Sequence, residues 1–325
     1  MKVSVIIPIY KVEPFIVRCV TSLFEQTLDG VEFIFIDDAT PDNSINILEK
    51  VVEEYPLRKN SIKIIRHEVN QGLPAARNHG LKVAIGEYVY HCDSDDFIEL
   101  DLLESLYVKA KETDADIVWC DWFLSFEHNE RYMKQPNYET SEEALRGILE
   151  GKMKYNVWNK LVKRSLYLEN GIVFPNGHGM GEDMTMIRLF TLAHRVAYVP
   201  KAFYHYVRLN TEAFTNAFSE KHLADLLYNT QETICFLKDK KGIGWEKEIG
   251  CFLLNVKFPF LISADKEMYC LWNKWFPESN AFIWKNKQSS WRSKLLQYAA
   301  SKRWFIIVWL HYRCVHQLIY GVIYR

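Results

Sequence analysis

Two hydrophobic rhythms alternate over the first 120 residues. Val3-Ser-Val-Ile-Ile-Pro-Ile9 is a nearly continuous apolar run, the pattern of a strand buried on both faces. Phe15, Ile16, Cys19, Val20, Leu23 and Phe24 then recur at helical spacing behind Pro14, which costs no hydrogen bond in a first turn. The exchange repeats. Strands are predicted over Glu32 to Ile36, Ile62 to Arg66, Glu87 to Cys92 and Asp116 to Trp122. Helices are predicted after Thr40-Pro41, over Gly72 to Ala84 and over Leu100 to Glu112. Such alternation implies an α/β fold, a mostly parallel sheet with helices on both faces. Ligands bind such sheets beyond the carboxyl ends of the strands. Tyr10, Asp38 and Asp93-Ser-Asp-Asp96 each stand just past such an end, so the topology brings them to one edge although they lie 28 to 86 residues apart.

Beyond Asn129 the pattern loosens. A short helix opens at Ser141, and a Gly-rich loop, Phe174 to Gly181, runs into Glu182-Asp183 and a helix to His194. Val196 to Val207 is strand-like. After about Ser219 the chain reads as helices, which sets an α/β domain over 1–217 and a helical region over 218–325.

Composition excludes wholesale disorder, with 49% apolar and 25% charged residues in 325. The net charge of −1 hides an asymmetry: Ser279 to Arg325 holds eight Lys/Arg and no Asp or Glu, leaving −9 for the rest. Seven cysteines, an odd number without C-x-x-C spacing, read as reduced thiols in a cytoplasmic protein. No secretory leader is expected at the start, and no apolar run reaches the roughly 18 residues of a spanning helix.

The chemistry concentrates in the acidic run. Three carboxylates within four residues repel one another, and a hard divalent cation, Mg²⁺ or Mn²⁺, relieves the conflict. Mg²⁺ favours one or two carboxylates plus substrate phosphates, which suits a nucleoside diphosphate. Helix capping by the same Asp residues is the competing reading. There is no G-x-x-x-x-G-K-[ST] loop and no G-x-G-x-x-G after the first strand, so P-loop and ordinary dinucleotide chemistry are not indicated.

The ordered motifs S-V-I-I-P-I-Y-K-V-E-P-F-I, F-I-D-D-A-T-P-D-N-S, N-Q-G-L-P-A-A-R-N-H-G-L, G-E-Y-V-Y-H-C-D-S-D-D, V-W-N-K-L-V-K-R-S-L and G-E-D-M resemble those of family 2 glycosyltransferases with the GT-A fold. The resemblance covers roughly residues 3 to 210, about two thirds of the chain. It implies an inverting transfer of sugar from a nucleotide-diphosphate sugar, a UDP-sugar by preference, to a saccharide or lipid-linked saccharide in surface polysaccharide synthesis. Pro8 and Tyr10 match the loop against the nucleoside, and Tyr10 could stack on a base. Asp38 matches the carboxylate that meets the base edge, and Arg77 the arginine near base and phosphates. Asp93 matches the ribose side of the D-x-D motif, with Ser94 beside it and Asp95 as metal ligand; Asp96 is a supporting carboxylate. Asp183 holds the place of the catalytic base, with Glu182 as its orienting neighbour. Arg208 and His205 lie where relatives close a loop over the diphosphate, Arg208 gripping phosphate and His205 approaching the metal. Trp158 reads equally as core or as a sugar platform, Asp37 as a turn residue, and His178 as solvent-exposed.

Two other classes stay open: a sugar nucleotidyltransferase, and a non-catalytic nucleotide-sugar-binding subunit. Trp284, Trp291, Trp304 and Trp309 are interleaved with Lys and Arg. The region suits either an anionic membrane, at the inner face of the cell membrane, or packing on the catalytic domain or a partner chain, a homodimer included. No nucleic-acid motif accompanies the charge.

Overall fold

In the computed structural model, which describes residues 1–179, 181–209 and 219–315, the apolar runs pair as parallel strands. The domain boundary expected near residue 217 lies outside the described residues. β1 (Val3–Ile9) is buried at every position and lies between β2 (Val31–Asp37) and β4 (Tyr88–His91), while β3 (Ile62–Arg66) flanks β2, all in parallel. Pro8 lies beyond the last β1–β4 pair, Ile6↔His91, so its missing N–H interrupts no ladder on that side.

Helices α1 (Ile16–Phe24), α2 (Ser44–Glu54) and α3 (Leu73–Val83) connect these strands, and α4 (Leu102–Thr113) follows β5 (Phe97–Ile98). α1 buries the predicted stripe Ile16, Cys19, Val20, Leu23 and Phe24. α2 starts later than Thr40-Pro41 suggests, at Ser44, because Asp42 takes the Ser44 N–H at 3.2 Å. α3 packs close on β1: a Cβ at Gly80 would stand 2.4 Å from Cγ2 of Ile6, so only glycine fits.

The sheet continues through β8 (Lys160–Lys163), β6 (Ile117–Ser125), β9 (Val196–Val207) and β5, in the order β3-β2-β1-β4-β8-β6-β9-β5, with β7 (Glu130–Met133) on β6. β8 is antiparallel to both its neighbours and β5 is antiparallel to β9, whereas β6 and β9 run parallel. The far half of the sheet is therefore mixed.

The chain divides into two units. One holds Met1–Ala144 and Tyr155–Thr233; the other holds Leu145–Lys154 and the residues from Ile234 onward. In the second unit α9 (Glu246–Lys257), α10 (Lys266–Lys274), α11 (Trp291–Ser301) and α12 (Phe305–His311) surround Leu254, Phe260, Tyr269 and Trp272. There the buried Lys257 donates to the carbonyls of Trp275 and Phe276 and to Asn280, and lies over the Trp272 ring at 4.1 Å. Among the described residues no helix is long and apolar enough to cross a membrane, and no disulfide forms.

Candidate active site

The backbone turns sharply just past the carboxyl ends of β1 and β2. Lys11 (φ 54°) and Ala39 (φ 54°) both occupy the left-handed region, at a cost of about 1–2 kcal/mol each for a non-glycine residue. Side chains hold the two bends together. Thr40 accepts the Lys11 N–H at 2.8 Å, Asp42 accepts that of Glu13 at 3.0 Å, and Glu13 returns the favour to Asn43 N–H at 3.0 Å. Strain of this sort, held by surrounding bonds, gathers at functional edges.

Arg77 lies at the centre of the arrangement. It projects from α3, is 1% exposed, and draws in carboxylates from two remote segments. Nη2 donates to Asp93 at 2.8 Å, Nη1 donates to Glu182 at 3.4 Å, and Asp183 lies 4.0 Å from Nη1. Phe174 lies 5.6 Å from the guanidinium carbon. Burial opposes the charge, but Asp93, Glu182 and Asp183 outweigh that cost and keep the guanidinium protonated.

Asp183 follows Gly181, whose φ of +95° lets the loop turn into the short helical turn Glu182–Met184 and α7 (Thr185–Leu192). Its carboxyl is pushed up to about 7, first by its depth in the protein and then by Glu182 and Asp93, with Arg77 and Lys160 pulling the other way. Nonetheless 32% of its side-chain surface is open to solvent, which gives a substrate hydroxyl access and moderates the shift. The Val157 N–H bonds it at 3.3 Å. Lys160, fully enclosed, donates to the Asn156 carbonyl and to Asn159, and burial pulls it down to about 7 against the attraction of Asp183. Tyr155 is pushed up to about 12 by burial and by the same two acids.

The loop that delivers Glu182-Asp183 is tied at both ends. Asn78 exchanges two hydrogen bonds with the Phe174 backbone, at 2.9 and 2.8 Å. Further along, Asp225 takes His178 Nδ1 at 3.0 Å and Gly179 N–H at 3.2 Å, while Asn229 donates to the Gly179 carbonyl at 2.6 Å. Both come from α8 (Glu220–Lys241) and are buried. His178 is therefore not a free surface residue: it pairs with Asp225 and stacks on Tyr228, centroids 3.8 Å apart.

The other expected positions separate into exposed and structural. Tyr10 is 43% exposed with Lys11 Nζ 5.7 Å from its ring, open to a flat ligand. Arg208 is exposed at the end of β9. Ser94 is buried and donates to the Pro8 carbonyl at 2.7 Å, tying the β4 loop to β1. Asp96 accepts from Tyr204 at 2.6 Å and from Val207 N–H at 2.7 Å; burial, then Asp95 and Asp93, push its carboxyl well above the usual range. Asp37 is the turn residue expected, accepting the Thr40 N–H at 2.9 Å.

Three of the expected positions have partners within the protein. Asp38, assigned to the base edge, is 3% exposed and already accepts from His67 and from the N–H groups of Gln71 and Gly72, all at 2.8 Å. It anchors the entry to α3. His205, assigned to the metal, gives Nδ1 to Glu130 at 2.7 Å and Nε2 to Glu99 at 2.8 Å, between the rings of Phe97 and Phe123. No ring nitrogen is left for a cation. Trp158 is core: it is 6% exposed and stacks on Tyr204 and Tyr206.

Could a divalent cation be held here? The donors are the right kind, all carboxylate oxygens at Asp93 and Asp95. Among the described residues no group of three or more metal-ligating side chains is assembled. The set fits a cation that a substrate's phosphates help to hold.

Sequence reasoning left Asn78, His67, Asp225 and Asn229 unassigned. Asn78 stands beside Arg77 in a quoted motif, and Asp225 and Asn229 are four apart on one helix face, which was the available signal.

The mixed nine-stranded sheet is GT-A-like, with Arg77 gathering Asp93 and Glu182. Residues 4–185 match the family described as glycosyl transferase family 2. The chain belongs to that family and is a glycosyltransferase. It is 32% identical to the cholesterol galactosyltransferase of Borreliella burgdorferi over 84% of this chain and 77% of that one. It is 28% identical to glycosyltransferase GlyG of Streptococcus pneumoniae over 69% of this chain and 77% of that one. The fold is similar to S. aureus TarS 1–349 in complex with UDP-GlcNAc, with a TM-score of 0.71 at 20% identity over 96% of this chain and 92% of that one.

Proposed function

We propose that the protein transfers a sugar, with inversion, from a UDP-sugar to an acceptor hydroxyl, with Asp183 as general base. The observation that carries this reading is the convergence on Arg77 of Asp93, 16 residues away, and Glu182, 105 residues away, with Asp183 beside it. The acceptor is a saccharide or lipid-linked saccharide in surface polysaccharide synthesis, as the motifs imply. The cysteine composition supports a cytoplasmic location.

In the step itself the acceptor oxygen attacks the anomeric carbon while the bond from that carbon to the diphosphate oxygen breaks. The hydroxyl proton passes to an Asp183 oxygen, and the diphosphate leaves with the bonding pair. The raised carboxyl of Asp183 is a stronger base than an ordinary aspartate, and its open third leaves room for the alcohol. Glu182, held by Arg77, fixes the direction of the turn, and Asp225 and Asn229 hold the loop behind it as positioning residues. Tyr10, exposed at the end of β1, is the residue for the base, and Arg208 the one for phosphate. Asp95, with Asp93, would hold Mn²⁺ or Mg²⁺, which when bound neutralises charge on the leaving diphosphate.

The donor reading is supported by the UDP-GlcNAc complex of a protein sharing the fold. A thermal-shift screen of nucleotide sugars with and without Mn²⁺ tests it. A Mn²⁺-dependent rise with UDP-sugars is expected. A rise with nucleoside triphosphates, with pyrophosphate released, would point to a nucleotidyltransferase.

A further inference from the structure

The basic, tryptophan-rich end of the chain plays no part in the chemistry above. Within the second unit its aromatic rings touch in sequence: Trp291 to Trp284 at 5.3 Å, Trp284 to Tyr298 at 5.7 Å, Tyr298 to Trp304 at 6.1 Å. The row is not a core. Trp284 is 45% exposed, Trp291 68% and Trp304 52%. Beside Trp304, α12 leaves Ile306 71%, Ile307 50% and Leu310 48% exposed. Surface apolar residues are ordinary when scattered, but a contiguous set marks an interaction site.

Charge selects the partner. The exposed cations around this row are Lys285, Lys287, Arg292, Lys302, Arg303 and Arg313, and from Ser279 to the end there is no acidic residue. Lys302 lies 5.6 Å from the Tyr298 ring and Arg313 5.5 Å from that of Trp309, so cations and aromatics are interleaved rather than segregated. A second copy presenting the same face would set cations against cations. A nucleic acid would satisfy the charge but give Ile306, Ile307 and Leu310 nothing apolar to enter. A bilayer with anionic headgroups satisfies both, because tryptophan prefers the headgroup level and aliphatic side chains the acyl boundary.

We infer that the α11–α12 face, with Trp284 and Trp304, is a docking surface for an anionic lipid bilayer, lying on the membrane without crossing it. The test is sedimentation of the full-length chain with phosphatidylglycerol–phosphatidylcholine vesicles and with phosphatidylcholine vesicles. Binding is expected to the anionic vesicles, accompanied by a blue shift of tryptophan fluorescence. It should be released as salt rises from about 0.1 to 1 M and the screening length falls from ~10 to ~3 Å. Lys302→Glu with Arg303→Glu should lower the partition coefficient by at least about tenfold. Ile306→Ser with Ile307→Ser should also weaken binding and abolish the blue shift. Both pairs change exposed positions, and melting curves will identify any variant that misfolds, in which case the other pair and the salt series decide. Failure of the wild-type chain to sediment, or equal binding to neutral vesicles, overturns the inference. So does light scattering that finds a dimer broken by the Ile pair, or RNA binding, without vesicle binding.

Discussion

Replacing Arg77 by Met removes the cation that Asp93 and Glu182 are both bonded to while keeping an apolar stem of similar length. The guanidinium is fully buried and its charge is maintained by those acids together with Asp183. Taking one partner from a buried charge cluster costs about 3–5 kcal/mol, since the others are left uncompensated. At roughly 2–4 °C per kcal/mol for a unit of this size, melting should fall on the order of 10 °C. The pH dependence gives a second signature. Without the cation, the pull that opposes burial, Glu182 and Asp93 at Asp183 is lost, and the native-state proton affinity of that carboxyl rises further above its unfolded value. A native state that binds more protons gains stability as pH falls, so stability should increase from about pH 8 to pH 5 more steeply than in the wild type. Urea unfolding of the full chain at several pH values, followed by circular dichroism, reads both. A loss under about 1 kcal/mol with an unchanged pH slope would refute the cluster as an electrostatic unit.

Other outcomes follow from the same geometry. Because Asp183 is raised to about 7 and a base must be deprotonated to act, kcat should fall as pH drops through about 7; a profile flat from pH 8 to 5 would contradict this. Asp95→Ala should weaken Mn²⁺-dependent nucleotide binding at least about tenfold by calorimetry, the scale of losing one charged contact. His205→Gln, which breaks two carboxylate contacts, should cost about 1–3 kcal/mol in stability and leave Mn²⁺ affinity unchanged; a lost metal dependence would restore it to the metal site. Asn229→Ala should lower kcat with little change in donor KM, as expected of a residue that holds the Gly179 loop rather than the donor.

The parallel half of the sheet was legible because strands buried on both faces are mostly apolar; β1 and β2 are buried at every position, with Ser4 and Glu32 bonded to each other where the apolar run is broken. The antiparallel additions were not. β5 has two residues and β8 has four, too short for a period to show, and Lys160 at the start of β8 is a buried cation that no hydrophobic pattern anticipates. The site divided along a similar line. Motif position brought Arg77, Asp93 and Asp183 into one account, and they do lie together. Motif position did not reveal who else bonds a side chain. Asp38 is bonded by His67 and two backbone N–H groups, and His205 by two glutamates from β7 and the β5 end. These partners come from distant segments, so only the folded chain shows that the two side chains are already engaged.

The central claim is that Asp183 accepts the proton of the incoming alcohol while the donor is held by other groups. Calorimetry with UDP, run beside a transfer assay on Asp183→Asn, separates the two roles. The account predicts nucleotide affinity within a few-fold of the wild type and transfer reduced by about 10²–10⁴-fold, the usual contribution of a positioned base. Turnover that survives the substitution would contradict it.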